Sequence, residues 1–113
     1  MTRVVWLRSA GDSRMRMRAE GHAGAAACGQ DVVCAAISTA MEMLETNLLA
    51  FGCRCAGRRG VALHEVDGKG YQAYKLMDAT ASFLRALAYQ YPEYVSFTEK
   101  ILENKNAWGE NGI

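Results

Sequence analysis

An imidazole at His22 and a thiol at Cys34 lie close together in the chain, joined by the small-residue stretch AGAAACGQ at 23–30. A thiol attacks a carbonyl well only as the thiolate, so it needs a base or an imidazolium within hydrogen-bond reach, and it gains further from the first turn of a helix. The pattern supplies both if a strand ends at His22 and a helix begins just before Cys34. Asp31, three residues before Cys34, has two roles open to it, orienting His22 or capping the helix. Backbone N–H groups of the loop and of the first helical turn are candidate donors to the oxyanion of a tetrahedral intermediate. A His and a Cys at this separation also arise with no joint role, because cysteine commonly serves as a small core residue.

The elements that must position this pair follow from periodicity. TRVVWLR at 2–8 is β-branched and aromatic, and GDS at 11–13 supplies a turn before RMRMRAE at 14–20. The second run alternates strictly, with Met15, Met17 and Ala19 on one face and Arg14, Arg16, Arg18 and Glu20 on the other, so the two runs form an antiparallel hairpin that ends at Gly21 and His22. From Asp31 to about Phe51 there is no Gly or Pro, and Ile37, Met41, Leu44 and Leu48 make a helical stripe that Gly52 stops. A second set, Val33, Ala36, Ala40 and Met43, widens its apolar face.

GCRCAGRRG at 52–60 reads as a short strand and a turn, VALHEVD at 61–67 as a strand, and DGKG at 67–70 as a loop. A second helix is expected over about 72–91, with Leu76, Thr80, Phe83, Leu84, Leu87 and Tyr91 along one side and Pro92 ending it. YVSFTEKI at 94–101 alternates again. The order is ββαββαβ, which predicts an α+β fold: a single two-layer domain over 1–102 with a mixed, mostly antiparallel sheet and two helices, followed by a flexible tail at 103–113.

At 113 residues the chain has room for one core. Its net charge of +1 gives no global argument for nucleic acid, although within the first 18 residues Arg3, Arg8, Arg14, Arg16 and Arg18 face only Asp12. That excess is a solvated face of a strand pair or a patch for RNA or an acidic partner. No run approaches the ~18 consecutive apolar residues of a membrane span, and no charged n-region precedes an apolar run, so the expectation is a cytoplasmic protein. Cys28, Cys34, Cys53 and Cys55 are then expected as reduced thiols. C-x-C at Cys53 and Cys55 with His22, His64 and Cys28 lacks the paired C-x-x-C spacing of structural zinc, and no metal is expected. His64, on an alternating strand, is expected to be a packed or surface residue.

GHA at 21–23 followed by GQDVVCAAIS at 29–38 resembles the signature of the ribosomal-processing cysteine protease family, also known as the Prp or YsxB-like family. Its motif is GHA, a glycine-containing loop, then G-x-D-[IV]-V-C-[AS]-[AG]-x-S. GVALHEVD and FLRALAYQYPEYVSF fit the family's later elements less distinctively. The resemblance implies that Cys34 is the nucleophile and His22 the general base and acid, with Gly21, Ala23, Gly24, Gly29, Gln30 and Ser38 around the substrate. It further implies a homodimer without cofactor that removes the N-terminal extension of large-subunit ribosomal protein L twenty-seven, cleaving after an apolar segment that ends in an aromatic residue. Transient contact with the ribosome is compatible with that role; membrane and DNA partners are not expected.

Cys28 departs from the family pattern, putting a second thiol in the loop, either inert or able to form a disulfide with Cys34. Two other functions remain alternatives: a non-catalytic ribosome or RNA-binding module using the arginine-rich hairpin, and a redox sensor built on Cys28 and Cys34.

Overall fold

In a computed structural model, residues 1–10, 13–22 and 31–103 are described; Cys28, the loop positions Ala23, Gly24, Gly29 and Gln30, and the expected tail beyond Glu103 lie outside them. The element order is β1 (Thr2–Ser9), β2 (Arg14–Glu20), α1 (Val32–Ala50), β3 (Arg54–Gly60), β4 (Leu63–Lys69), α2 (Tyr71–Gln90) and β5 (Val95–Leu102). The five strands form one sheet in the order β3-β4-β2-β1-β5. Only the β1–β5 pair among these neighbours is parallel; the β1–β2, β2–β4 and β3–β4 pairs are antiparallel.

Side-chain alternation sets the layers. In β2, Met15, Met17 and Ala19 are buried and the arginines between them are half-buried. The buried face continues through Val4 and Trp6 of β1 and Val66 of β4 into the stripe Val33, Ile37, Met41, Leu44 and Leu48 of α1. Both helices therefore lie on one side of the sheet. Burial of side chains this large contributes roughly 1.5–3 kcal/mol each.

Helix α1 is long and apolar enough to cross a membrane by length and composition alone, which a search for uninterrupted apolar runs overlooks. Here it packs on the sheet, and it carries Glu42 and Glu45. Its C-terminus is closed as the sequence predicts. Gly52 takes φ +70, its N–H donates to Leu49 O at 3.1 Å, and the Cys53 N–H reaches Leu48 O at 2.9 Å.

Two expectations need correction. DGKG is not a loop: β4 runs through Asp67 and Gly68 to Lys69, and Gly70, at φ +100, is the helix N-cap. Asp67 is held by Arg16 and Arg58, and a Cβ on Gly68 would stand 2.6 Å from Met77 Sδ, so this glycine serves the close approach of α2 rather than a turn. The core stripe of α2 is likewise Ala73, Met77, Ala81, Leu84 and Leu87. Leu76, Thr80 and Phe83 instead line an outer groove against α1, because alanines on the sheet side let the helix lie close and leave the larger side chains to the flank.

Candidate active site

Gly21 fixes where β2 ends. Its N–H donates to Ala62 O at 2.7 Å, its carbonyl accepts from the Thr2 hydroxyl at 3.2 Å, and Thr2 N–H is itself tied to Tyr94 O at 2.9 Å. At φ +97, with the Met1 carbonyl oxygen 2.5 Å from where a Cβ would sit, the position admits only glycine without strain. The turn held in this way delivers His22, which is exposed and has no hydrogen-bond or ion-pair partner among the described residues.

Asp31 begins α1 from an extended conformation (φ −81°, ψ 99°), and its Oδ1 accepts from the N–H groups of both Val33 and Cys34 at 3.0 Å. Of the two roles open to it, the cap is the one observed. Those two N–H groups are thereby occupied, so in this state they are not the oxyanion donors that the first turn was expected to offer. Cys34 is half-buried, a free thiol in the first turn of the helix.

His22 and Cys34 meet on one cleft of about 260 Å³, which Gly21 and Ser38 also line. Its apolar surface comes from Ile37, Met41 and Leu63, and its rim carries the ion pair of Arg59 with Glu42 at 2.9 Å. A cleft that is mostly apolar with a few convergent polar groups is the usual form of a small-ligand or peptide subsite. His64 lines it too, with Nε2 2.8 Å from Glu45 Oε1, which agrees with a packed histidine.

Thr2, Arg59, Leu63 and His64 were not assigned to the site from sequence. The register Ala19↔His64 and Glu20↔Leu63 is what brings β4 beside the end of β2, and no local motif encodes it. Alternation does put His64 on the helix-facing side, which was the one available signal. Among the described residues, no group of three or more His, Cys, Asp and Glu side chains is arranged to hold a metal ion.

A thiol opening a capped helix, an imidazole closing a strand and one cleft between them have the make-up of a thiol hydrolase site. The class narrows to one family. The model of the cysteine protease Prp family matches residues 1–96, and the chain belongs to that family.

Solved structures share the fold. The S. aureus essential ribosomal processing protease Prp, in complex with a covalently linked product peptide, is 18% identical with a TM-score of 0.77, over 88% of this chain and 100% of that one. The same protease with a substrate peptide gives 17% identity and a TM-score of 0.67, over 88% and 100% of the two chains. A protein of Streptococcus mutans is 22% identical over 90% of this chain and 96% of its own, with a TM-score of 0.67. Among curated proteins none matches.

Proposed function

We propose that this cysteine protease acts in ribosomal processing, removing the N-terminal extension of the precursor of ribosomal protein L twenty-seven, with Cys34 as nucleophile and His22 as general base and acid. The observation that carries the reading is the shared cleft: the Cys34 thiol and the His22 imidazole, neither with a side-chain partner among the described residues, border the same space. The S. aureus relative, described as a ribosomal processing protease and seen with substrate and product peptides, supports the choice of pathway.

In the proposed reaction the Cys34 sulfur adds to the scissile carbonyl while His22 takes the thiol proton. Collapse of the tetrahedral intermediate breaks the C–N bond, the imidazolium gives its proton to the leaving amine, and a thioester remains. Water, deprotonated by His22, then releases the acid and restores the thiol. Ile37, Met41 and Leu63 suit an apolar residue of the peptide, in keeping with an extension that is apolar and ends in an aromatic side chain. Gly21 and Ser38 flank the peptide, and the loop positions Ala23, Gly24, Gly29 and Gln30 are assigned to it from the family pattern alone. Asp31 serves as cap, with an orienting effect on His22 open to test.

The same reading makes the enzyme cytoplasmic, free of cofactor and homodimeric, in passing contact with the ribosome. For the dimer, the outer groove between α1 and α2 offers an apolar face with Met43 and Phe83 exposed. Incubation with the extended precursor, followed by mass spectrometry, tests the function. Loss of the extension with the native chain and its retention with Cys34→Ala are expected; an intact precursor with the native chain, or cleavage undiminished by Cys34→Ala, rejects it.

A further inference from the structure

The sheet face away from the helices holds a charge pattern that proteolysis leaves unused. In the strand register, Arg14, Arg16 and Arg18 of β2 stand beside Arg54 and Arg58 of β3, with Lys69 of β4 between them. Arg3 of β1 and Lys100 of β5 share the face, through their pairings Arg3↔Glu20 and Leu7↔Lys100. Among the described residues of this face three carboxylates, Glu20, Glu65 and Asp67, stand with these eight cations, an excess of five positive charges there on a chain whose whole net charge is +1. Arg8 belongs elsewhere: it pairs Met15 in the register and forms an ion pair with Glu99 at 2.7 Å.

Two of the carboxylates are buried although neither α1 nor α2 covers this side. Asp67 is 1% exposed and Glu65 7%. Their cover is the guanidinium groups themselves. Arg16 grips Asp67 through two bonds of 2.6 and 2.9 Å, and Arg58 bridges Asp67 at 2.6 Å and Glu65 at 2.8 Å. The effect is a flat plate of guanidiniums fixed in place before any partner arrives, which lowers the ordering cost of binding.

The neighbouring row behaves differently. Arg54 lies directly opposite Lys69, and neither makes an ion pair among the described residues. Like charges facing each other across a strand pair destabilise a sheet. In the next rows β4 sets Asp67 beside Arg16 of β2 and Glu65 beside Arg58 of β3. A surface tuned for stability alone would have continued that alternation.

We propose that this open sheet face binds the phosphate backbone of single-stranded RNA. Guanidinium and ammonium groups spread over a flat, polar sheet fit a run of phosphates that no single carboxylate could match, and the contact would be electrostatic and indifferent to sequence. It is independent of the cleft, which opens at the strand ends that carry His22 and Leu63.

The test measures fluorescence anisotropy of a labelled single-stranded RNA of about 20 nucleotides at about 50 and 200 mM KCl. With roughly 0.7 counterion released per phosphate and about five phosphates neutralised, affinity should fall on the order of a hundredfold between the two. The triple variant Arg54→Gln, Lys69→Gln, Lys100→Gln, which removes no observed ion pair, should melt no lower than the native chain, bind at least about tenfold more weakly at the lower salt, and lose about two from the log–log salt slope. Absence of native binding at 50 mM KCl, or equal binding by the variant, overturns the proposal. Displacement of the RNA by polyglutamate at equal charge concentration also overturns it, in favour of an acidic protein. Because no step needs the thiol, Cys34→Ala should bind RNA like the native chain, which separates this result from the fate of the protease assignment.

Discussion

Cysteine, histidine and a carboxylate come together in two regions along α1, and the two neighbourhoods have opposite characters. At the start of the helix are Cys34 and Asp31, with His22 across the cleft. Further along, Glu45 sits against β3 and β4, near His64, Cys53 and Cys55. In the second region the fold has used up the chemistry. Glu45 holds His64 Nε2 at 2.8 Å, and its carboxylate lies 2.6 Å from where a Cβ on Gly57 would be, so it fills the space that glycine leaves. Burial pushes the Cys55 thiol up, and the nearby Cys53 and Glu45 push it the same way. The first region sits at the end of a strand and the start of a helix, where Asp31 is spent on the cap while the Cys34 and His22 side chains border a cleft. Residue types alone do not make a reactive site; the difference is whether the fold satisfies them.

Substitutions can test that contrast. The largest effect is expected at the cleft. Cys34→Ala and His22→Ala should each lower cleavage by at least about 10³-fold, whereas Cys55→Ala should leave the rate constant within about threefold. Comparable losses from Cys34 and Cys55 would erase the distinction. Next comes Gly21→Ala, which forces a methyl group against the Met1 carbonyl at a positive φ. A stability loss of about 1–3 kcal/mol in urea melts should accompany a fall in turnover, since the same turn carries His22.

A smaller effect is expected at His64. His64→Ala strands the half-buried Glu45 carboxylate and should cost about 1–2 kcal/mol, with any kinetic change appearing in KM because the ring lines the cleft wall. A kcat loss matching that of His22→Ala would give the second imidazole a chemical role. Asp31→Ala should cost about 1 kcal/mol of stability and Asp31→Asn only a few tenths, as for any N-cap. If Asp31→Asn keeps the fold but drops kcat more than about tenfold, the carboxylate charge acts on His22 as well. The mildest contrast is kinetic: with limiting iodoacetamide near neutral pH, peptide mapping should find Cys34, which borders the cleft, labelled before Cys55, whose pKa is pushed up by burial.

How much of this could be read from the chain varies with how local the cause is. Strand β2 follows from the alternation of RMRMRAE, and α1 from its stripe, Asp31 and Gly52, because each signal lies within one element. GHA and the DVVC run were legible for the same reason. Gly68 was misread as a turn residue because what demands it, Met77, lies on the following helix. The α2 stripe was right at Leu84 and Leu87 but misassigned before them, because Ala73, Met77 and Ala81 face the core there in place of Leu76, Thr80 and Phe83. The contributions of Thr2, Leu63 and His64 to the cleft depend on pairings between β1, β2, β4 and the residue before β5, which no single stretch records.

The clamp on Gly21 has a practical side. Because the Met1 carbonyl packs over that glycine and Thr2 borders the cleft, the start of β1 lies beside the mouth of the cavity. An affinity handle fused there would compete with incoming peptide for the same opening. A recombinant product should therefore carry its handle at the other terminus, or have it removed before turnover is measured.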